Sequence, residues 1–173
     1  IMTMQKIHSL LKNIAIYAIV FIAIYSAVNW WRQPIMPAMP FLQFSSIDHQ
    51  PIDIQKMSHE RPVLVYFWGS WCPICRQTSP SVNEIAKTDE FAVVSIAVQS
   101  GDNQEVAHYL QQHQWQFVTV NDREGDIFAA WQGQVTPSFI IIKNGKMVQG
   151  LTGIHPAWEL KLRLRWLAYD PQN

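Results

Sequence analysis

The longest apolar stretch of the chain lies near its N-terminus. Residues 10–31 read LLKNIAIYAIVFIAIYSAVNWW, and no charged residue occurs within 14–28. This length approaches the roughly 20 apolar residues that a helix needs to cross a bilayer. The aromatic pair at its end, which includes Trp30, is typical of the region where lipid headgroups meet water. The pattern predicts a single transmembrane anchor over residues 13–31.

The flanking charges predict the orientation of this anchor. Lys6 and Lys12 precede the apolar stretch, and Arg32 follows it. Cytoplasmic flanks of transmembrane helices carry an excess of Lys and Arg. We therefore expect residues 1–12 in the cytoplasm, a single pass through the inner membrane, and the rest of the chain in the periplasm.

Two other interpretations of the apolar stretch stay open. A cleaved signal peptide needs small residues in an Ala-x-Ala-like pattern at the end of its apolar run. Here Tyr25 stands two places before Ala27, which disfavours cleavage. A buried core helix is the other alternative, because the uncharged part of the stretch is short.

After a linker of residues 32–40, which contains three prolines, residues 41–173 alternate between strand and helix patterns. The run VLVYFW at 63–68 is continuously apolar, as is typical of a strand buried on both faces. Before and after it we predict a hairpin around 48–51, a helix over 72–87 kinked at Pro80, and a strand over 91–98. There follow a helix over 103–113 capped by Asn103, a strand over 117–120, a helix over 126–131, a strand over 138–143, a return strand over 146–150 and a helix over 156–168.

The order of these elements predicts the fold class. Helices that cross over between strands produce parallel pairs, and the Asn144–Gly145 turn produces an antiparallel hairpin. We therefore predict an α/β sandwich in which helices flank a central mixed sheet. The helices should face it with apolar residues that recur at helical spacing: Val82, Ile85 and Ala86, then Val106, Ala107 and Leu110, then Trp158, Leu162 and Trp166.

Composition and charge narrow the function classes. Hydrophobic residues make up 49% of the chain and charged residues 15%, which excludes a disordered, highly charged protein. The formal net charge is zero and no basic run occurs, so we predict no nucleic-acid partner. The chain has only 2 cysteines, too few for a disulfide-held scaffold. Because the two cysteines lie close together in the sequence, we predict that they act together as a functional pair.

The two cysteines lie in the motif Trp71-Cys72-Pro73-Ile74-Cys75, between a predicted buried strand and a predicted helix. Cysteines at i and i+3 face the same side of a helical turn, at a separation that suits a disulfide. Cys72 at the helix start meets unpaired N–H groups and the positive end of the helix dipole, which stabilise a thiolate. Pro73 suits a first helical turn. We predict that Cys72 attacks and that the more buried Cys75 resolves the mixed disulfide.

Other roles for the cysteine pair stay open. A structural zinc site needs four ligands, and the sequence has neither a second CxxC nor an HxxxH pair. Two thiolates suit Cu(I), to which Met36 and Met39 would add thioether ligands. The pair would otherwise be inert core cysteines or an idle motif in a holdase-like binding module. We predict no metal and no cofactor beyond the redox-active disulfide Cys72–Cys75.

A second motif, Val135-Thr136-Pro137-Ser138, stands before a predicted strand, where Pro137 would withhold a hydrogen-bond donor from the sheet. A cis Thr136–Pro137 bond would let this turn lie against the cysteines and present the backbone of Thr136 to a substrate strand. A trans proline that begins a strand is the more common alternative.

Together these residues resemble the thioredoxin superfamily, and more closely its membrane-anchored periplasmic branch of TlpA-, ResA- and CcmG-like proteins. The resemblance runs from about residue 41 to 167. It rests on the segment 62–75, Pro80, the segment 135–138, the Asn144–Gly145 hairpin, Gly153 and a 118–126 segment similar to the insertion of that branch. Within the branch, the chain is most similar to the ScsD proteins of suppressor-of-copper-sensitivity systems.

The resemblance implies a nucleophilic Cys72, a resolving Cys75 and a cis Pro137 that binds substrate together with Thr136. It implies protein thiols or disulfides as substrates and a transmembrane DsbD-type reductase as electron donor. The dipeptide between the cysteines has no histidine, and an apolar Ile74 disfavours a thiolate, which argues against a strong oxidant. We expect a protein-disulfide reductant. A dithiol oxidase or isomerase, or a copper-binding or holdase module, is the alternative.

Two positions depart from the family pattern. Tyr66 stands where thioredoxins usually carry a buried Asp, and Thr78 stands where ResA-like reductases carry a Glu. No carboxylate is then left beside the cysteines for acid–base chemistry, which weighs against strong reductase activity. His155 would approach the site through the Gly153 turn, but a surface position at the start of the last helix is the expectation.

Overall fold

The computed structural model describes residues 4–37 and 42–169. The chain divides into two units, residues 1–32 and 33–173, and each is described by itself. The linker predicted over 32–40 is therefore described as far as residue 37. In that part Pro34 is buried, and the backbone N–H of Ile35 donates to the carbonyl of Trp131 at 2.7 Å.

In the first unit, helix α1 spans Met4–Trp31. Its segment Ile7–Trp31 has a mean hydropathy of 1.9 over its most apolar window, and none of that window is buried. The helix is long and apolar enough to cross a membrane. A signal sequence near an N-terminus meets the same criteria of length and composition.

The second unit begins with a small hairpin and continues as an alternation of helices and strands. Its elements are β1 Gln43–Ser45, β2 Pro51–Asp53, α2 Ile54–Glu60, β3 Val63–Trp68, α3 Pro73–Ala86, β4 Ala92–Val98, α4 Asn103–Gln112, β5 Val118–Asp122, α5 Asp126–Ala130, β6 Ser138–Lys143, β7 Lys146–Thr152 and α6 Ala157–Tyr169. Five strands form a sheet of order β5-β4-β3-β6-β7. β3, β4 and β5 run parallel, while β6 pairs antiparallel with β3 and β7. The predicted α/β sandwich with a mixed sheet is confirmed.

The central strand β3 separates two hydrophobic clusters. All six of its residues are buried, because helices or loops cover both faces of the sheet. Successive side chains of a strand point to opposite faces. Tyr66 and its alternate neighbours join the cluster that contains Cys72 and Cys75, which we call the cysteine-side cluster. Phe67 and its alternate neighbours join the cluster around Trp131, which we call the far-side cluster.

Two helix starts differ from the sequence-based expectation. Helix α2 follows the predicted hairpin directly and was not predicted. The Asp53 carboxylate begins it by accepting the N–H of Lys56 at 2.9 Å. Helix α4 is capped by Asp102, whose carboxylate forms a reciprocal capping box with Glu105. The prediction of Asn103 as the cap is therefore wrong by one residue.

The core face of the last helix is also not the predicted one. Helix α6 buries Leu160 and Leu164, whereas Trp158, Leu162 and Trp166 are exposed. Residues two positions apart in a helix point about 200° apart, so burial of the leucines turns the other set outward. On α4, Val106 and Leu110 face inward as expected, but Ala107 is exposed.

Candidate active site around Cys72 and Cys75

The turn between β3 and α3 presents both cysteines at one end of the sheet. Cys72 is the N-cap of α3, and its Sγ accepts the backbone N–H of Cys75 at 3.2 Å. Pro73 occupies the first turn of the helix, as predicted. The cysteines form a disulfide with a Cα–Cα distance of 5.2 Å. Cys72 is 4% exposed and Cys75 1%, so the reacting sulfurs are nearly sealed from bulk water.

Ser70 and Trp71, which precede Cys72, are hydrogen-bonded to residues at the end of β4 and just after it. The indole N–H of Trp71 donates to the Val98 carbonyl at 3.0 Å, and the Ser100 hydroxyl donates to the same oxygen at 3.0 Å. Ser100 Oγ also accepts the backbone N–H of Ser70 at 3.0 Å. At Gly69 a Cβ would lie 2.6 Å from the Trp71 ring, so a side chain there would displace the indole. Ser100 was not predicted as a site residue, because no local sequence pattern marks this loop position.

The Thr136–Pro137 segment lies beside the disulfide. The peptide bond between these residues is cis. The carbonyl oxygen of Thr136 is 3.6 Å from Cys72 Sγ. The carbonyl of Pro137 accepts the backbone N–H of Gly153 at 2.9 Å, which ties this segment to the turn after β7. The structure therefore brings together the two motifs that the sequence analysis singled out.

A buried hydroxyl pair lies beneath Cys75. The Tyr66 hydroxyl is 2.9 Å from Ser79 Oγ and donates to the Cys75 carbonyl at 3.4 Å. Burial raises the pKa of the Tyr66 phenol above its ordinary value, and the hydrogen bond with Ser79 lowers it by less. The Thr78 hydroxyl donates a hydrogen bond to the Ile74 carbonyl at 3.0 Å. Ser79 was missed, although its position four residues after Cys75 places it on the same helix face.

His155 is not the surface residue that the sequence suggested. Its side chain is 15% exposed. Nδ1 lies 3.0 Å from Glu159 Oε2, and Nε2 lies 3.1 Å from the carbonyl oxygen of Thr152. The ring meets Phe139 edge-on at a centroid distance of 5.6 Å, and Phe139 stacks on Tyr66 at 5.0 Å. The partner Glu159 was missed, although its i,i+4 spacing from His155 is a recognisable helix pattern.

Exposed apolar side chains adjoin each segment of the site. Trp71 and Ile74 flank the cysteines and are 56% and 46% exposed. Ile154 follows the glycine that binds the Pro137 carbonyl and is 56% exposed. These three apolar side chains are therefore accessible at the protein surface.

The zinc and copper alternatives depend on further ligands near the two cysteines. Within residues 4–37 and 42–169, no three His, Cys, Asp or Glu side chains group closely enough to hold a metal ion. Met36 packs against the far-side cluster, across the sheet from the cysteines. Met39 lies outside the described residues.

Comparisons with known proteins agree with this geometry. Residues 36–156 match the Redoxin family. The chain is 37% identical over 161 residues to a thioredoxin-like protein of Haemophilus influenzae, covering 92% of this chain and 96% of that protein. It is 30% identical over 94 residues to the thiol-disulfide oxidoreductase ResA of Bacillus thuringiensis subsp. konkukian, covering 53% of this chain and about half, 54%, of ResA.

Two solved structures show the same fold. One is a secreted Mycobacterium tuberculosis disulfide oxidoreductase homologous to E. coli DsbE, with a TM-score of 0.63 and 22% identity over 75% of this chain and 99% of that chain. The other is StoA from Bacillus subtilis, with a TM-score of 0.63 and 21% identity over 75% of this chain and 98% of that chain. The family match extends across the disulfide motif, and the fold presents that disulfide at a helix start. The chain therefore belongs to the Redoxin family and is a thioredoxin-like thiol–disulfide oxidoreductase.

Proposed function

We propose that this protein is a membrane-anchored periplasmic reductant of protein disulfides. The observation that carries the proposal is the position of Cys72, at the N-cap of α3 and 3.6 Å from the carbonyl of Thr136. A helix N-terminus stabilises a thiolate, and the thiolate is the attacking species in disulfide exchange.

The reaction takes two exchange steps. The reduced Cys72 thiolate attacks a substrate disulfide, which forms a Cys72–substrate disulfide and releases one substrate thiolate. Cys75 loses its proton and attacks Cys72 Sγ, which forms the Cys72–Cys75 disulfide and releases the second substrate thiolate. Both released thiolates take up protons. The substrate gains two electrons, and the protein becomes oxidised. No cofactor beyond the disulfide takes part.

The surroundings support a polypeptide substrate. Thr136 and Pro137 would receive an extended segment next to Cys72, and the apolar side chains of Trp71, Ile74 and Ile154 would contact the substrate around it. The Tyr66–Ser79 pair would keep the carbonyl side of Cys75 hydrogen-bonded while its sulfur changes partner.

The proposed function also includes a membrane location for the chain and a donor that re-reduces its disulfide. Helix α1 would anchor the chain in the inner membrane, with the N-terminus in the cytoplasm. A transmembrane DsbD-type reductase would then return two electrons to the Cys72–Cys75 disulfide after each turnover. The likeness to ScsD proteins would make copper-stress targets one class of substrate. The absence of a stabilising histidine between the cysteines favours this direction of electron flow.

The reduction potential of the cysteine pair tests the direction. The detergent-solubilised full chain is equilibrated with glutathione buffers, and the reduced fraction is measured by thiol alkylation. We expect a value near the roughly −270 mV of thioredoxin. A value near the roughly −120 mV of a strong oxidant would make the protein a disulfide donor instead.

Matched cysteine variants test the roles. Cys75→Ser should accumulate mixed disulfides with periplasmic proteins, because Cys72 attacks but nothing resolves the intermediate. Cys72→Ser should accumulate none and lose turnover. If Cys72→Ser keeps the full activity in cells and merely suppresses aggregation, the protein is a binding module and the redox assignment is wrong.

A further inference from the structure

Both ring nitrogens of His155 face groups that can only accept hydrogen bonds. Nε2 faces the Thr152 carbonyl at 3.1 Å, and Nδ1 faces the Glu159 carboxylate at 3.0 Å. A neutral imidazole has one N–H donor, whereas the imidazolium has two. The imidazolium alone satisfies both contacts while Glu159 stays ionised.

Glu159 is held in its ionised form. Burial raises the pKa of its carboxyl, but hydrogen bonds from His155 and Arg163 outweigh burial, and the pKa lies below its ordinary value. Arg163 Nε donates to Oε1 at 2.8 Å, and the neighbouring guanidinium nitrogen lies 2.7 Å from the same oxygen. Of the groups that face the ring, Glu159 is charged and is itself paired with Arg163, whereas Phe139 from β6 and Thr152 from β7 carry no charge.

The turn that His155 contacts is also hydrogen-bonded to the Thr136–Pro137 segment. Thr152 ends β7 and pairs with Ser138, the residue that follows Pro137. The next residue, Gly153, donates its N–H to the Pro137 carbonyl at 2.9 Å. Gly153 has a φ of +89°, a backbone conformation that glycine adopts readily. The hydrogen bond from His155 to the carbonyl of the preceding residue, Thr152, holds this turn from the side of α6.

We propose that His155, as an imidazolium bound between Glu159 and the Thr152 carbonyl, is a positioning residue that holds the Thr136–Pro137 segment ready for the substrate. It touches neither sulfur. It acts through the turn of residues 152–155, whose N–H group at Gly153 fixes the Pro137 carbonyl. This inference rests on the proposed role of Thr136 and Pro137 in substrate binding.

The kinetic test compares His155→Gln with His108→Gln in the detergent-solubilised full chain. His108 lies on α4, where its partner is Gln112 on the same helix, which makes it a matched control. The assay follows insulin disulfide reduction with dithiothreitol as electron donor. For His155→Gln we expect KM to rise about fivefold, with kcat and the Cys72–Cys75 potential unchanged, because only binding has been loosened. An unchanged KM, or equal losses in kcat and kcat/KM, would contradict the proposal.

A variant of the carboxylate partner separates positioning from simple packing. Glu159→Gln, which keeps an acceptor but removes the charge, should shift KM in the same direction by a smaller factor.

Amide hydrogen exchange tests the inference independently of enzymatic activity. In His155→Gln, the Gly153 amide should exchange about tenfold faster, while the amides of β3 keep their wild-type rates. If wild type reduces no insulin but this exchange effect is present, the proposed function fails and the positioning role stands. If the Gly153 amide exchanges at the wild-type rate, the positioning role is wrong whatever the activity.

Discussion

Helices α3 and α6 pack against the same cysteine-side cluster, but α3 also buries polar residues, whereas α6 buries none. Helix α3 buries four polar or sulfur-containing residues along with two aliphatic ones: Cys75, Thr78, Ser79, Asn83, Val82 and Ile85. Helix α6 buries only Leu160 and Leu164 and leaves two tryptophans in solvent. The two helices are equally hydrophobic on average, so overall hydrophobicity does not account for this difference in burial.

The difference shows that burial follows the availability of partners. Burying a polar group is costly unless a hydrogen bond replaces its water. On α3, Ser79 meets Tyr66, and Asn83 accepts the backbone N–H of Gln116 at 2.7 Å. On α6, the contact with the core is a narrow leucine strip. At the edges of that strip Lys161 and Arg165 form ion pairs with Glu84 and Glu90.

A matched pair of leucines on α6 gives the largest expected effect. Leu160→Ala should lower the free energy of unfolding by about 2–5 kcal/mol, because it leaves a cavity beside the sheet. Leu162→Ala, the same change at a position that is 60% exposed, should stay within about 0.5 kcal/mol of wild type. Urea unfolding of the detergent-solubilised protein, followed by tryptophan fluorescence, measures both. Equal losses would show that α6 has no distinct core face.

The buried hydroxyl pair on the α3 side gives the next largest effect. Tyr66→Phe leaves the Ser79 hydroxyl without its partner in a fully buried position, which should cost about 1–3 kcal/mol. Ser79→Ala should lower the free energy of unfolding by less, because the Tyr66 hydroxyl still donates to the Cys75 carbonyl. The double variant should lose less stability than the sum of the two single losses, since it removes both partners together. Strict additivity would mean that the two hydroxyls do not interact.

The smallest effect concerns the carboxylate on α6. The pKa of Glu159 is lower in the folded protein than its ordinary value of 4.5, so its ionised form stabilises the fold above that pH. This contribution is lost as the pH falls through the folded-state pKa. Glu159→Gln should therefore lower the unfolding temperature at neutral pH, by an amount that corresponds to about 1 kcal/mol at most. Thermal unfolding from neutral to acidic pH should show the two curves converging. A constant gap would contradict this origin.

Local sequence patterns predicted most of the scaffold of the site. The apolar run that forms β3 and the Asn144–Gly145 turn are short-range signals, and each appears where it was expected. The cap of α4 was misplaced by one residue because Asp102 and Asn103 are both good N-caps. The prediction of the buried face of α6 was wrong for a different reason. Its sequence is apolar on two sides, so helical spacing alone does not decide which side meets the sheet.

By itself, the sequence determined the chemistry of this protein. Cys72, Pro73 and Cys75 lie within one helical turn after a buried strand, so their proximity follows from local geometry. Only the tertiary structure decided what surrounds them. Thr136 lies 64 residues from Cys72 along the chain, and Ser100 lies 30 residues from Ser70. Such contacts arise because the sheet places β6 and β4 on either side of β3, an order set by packing of the whole domain and not by any short segment.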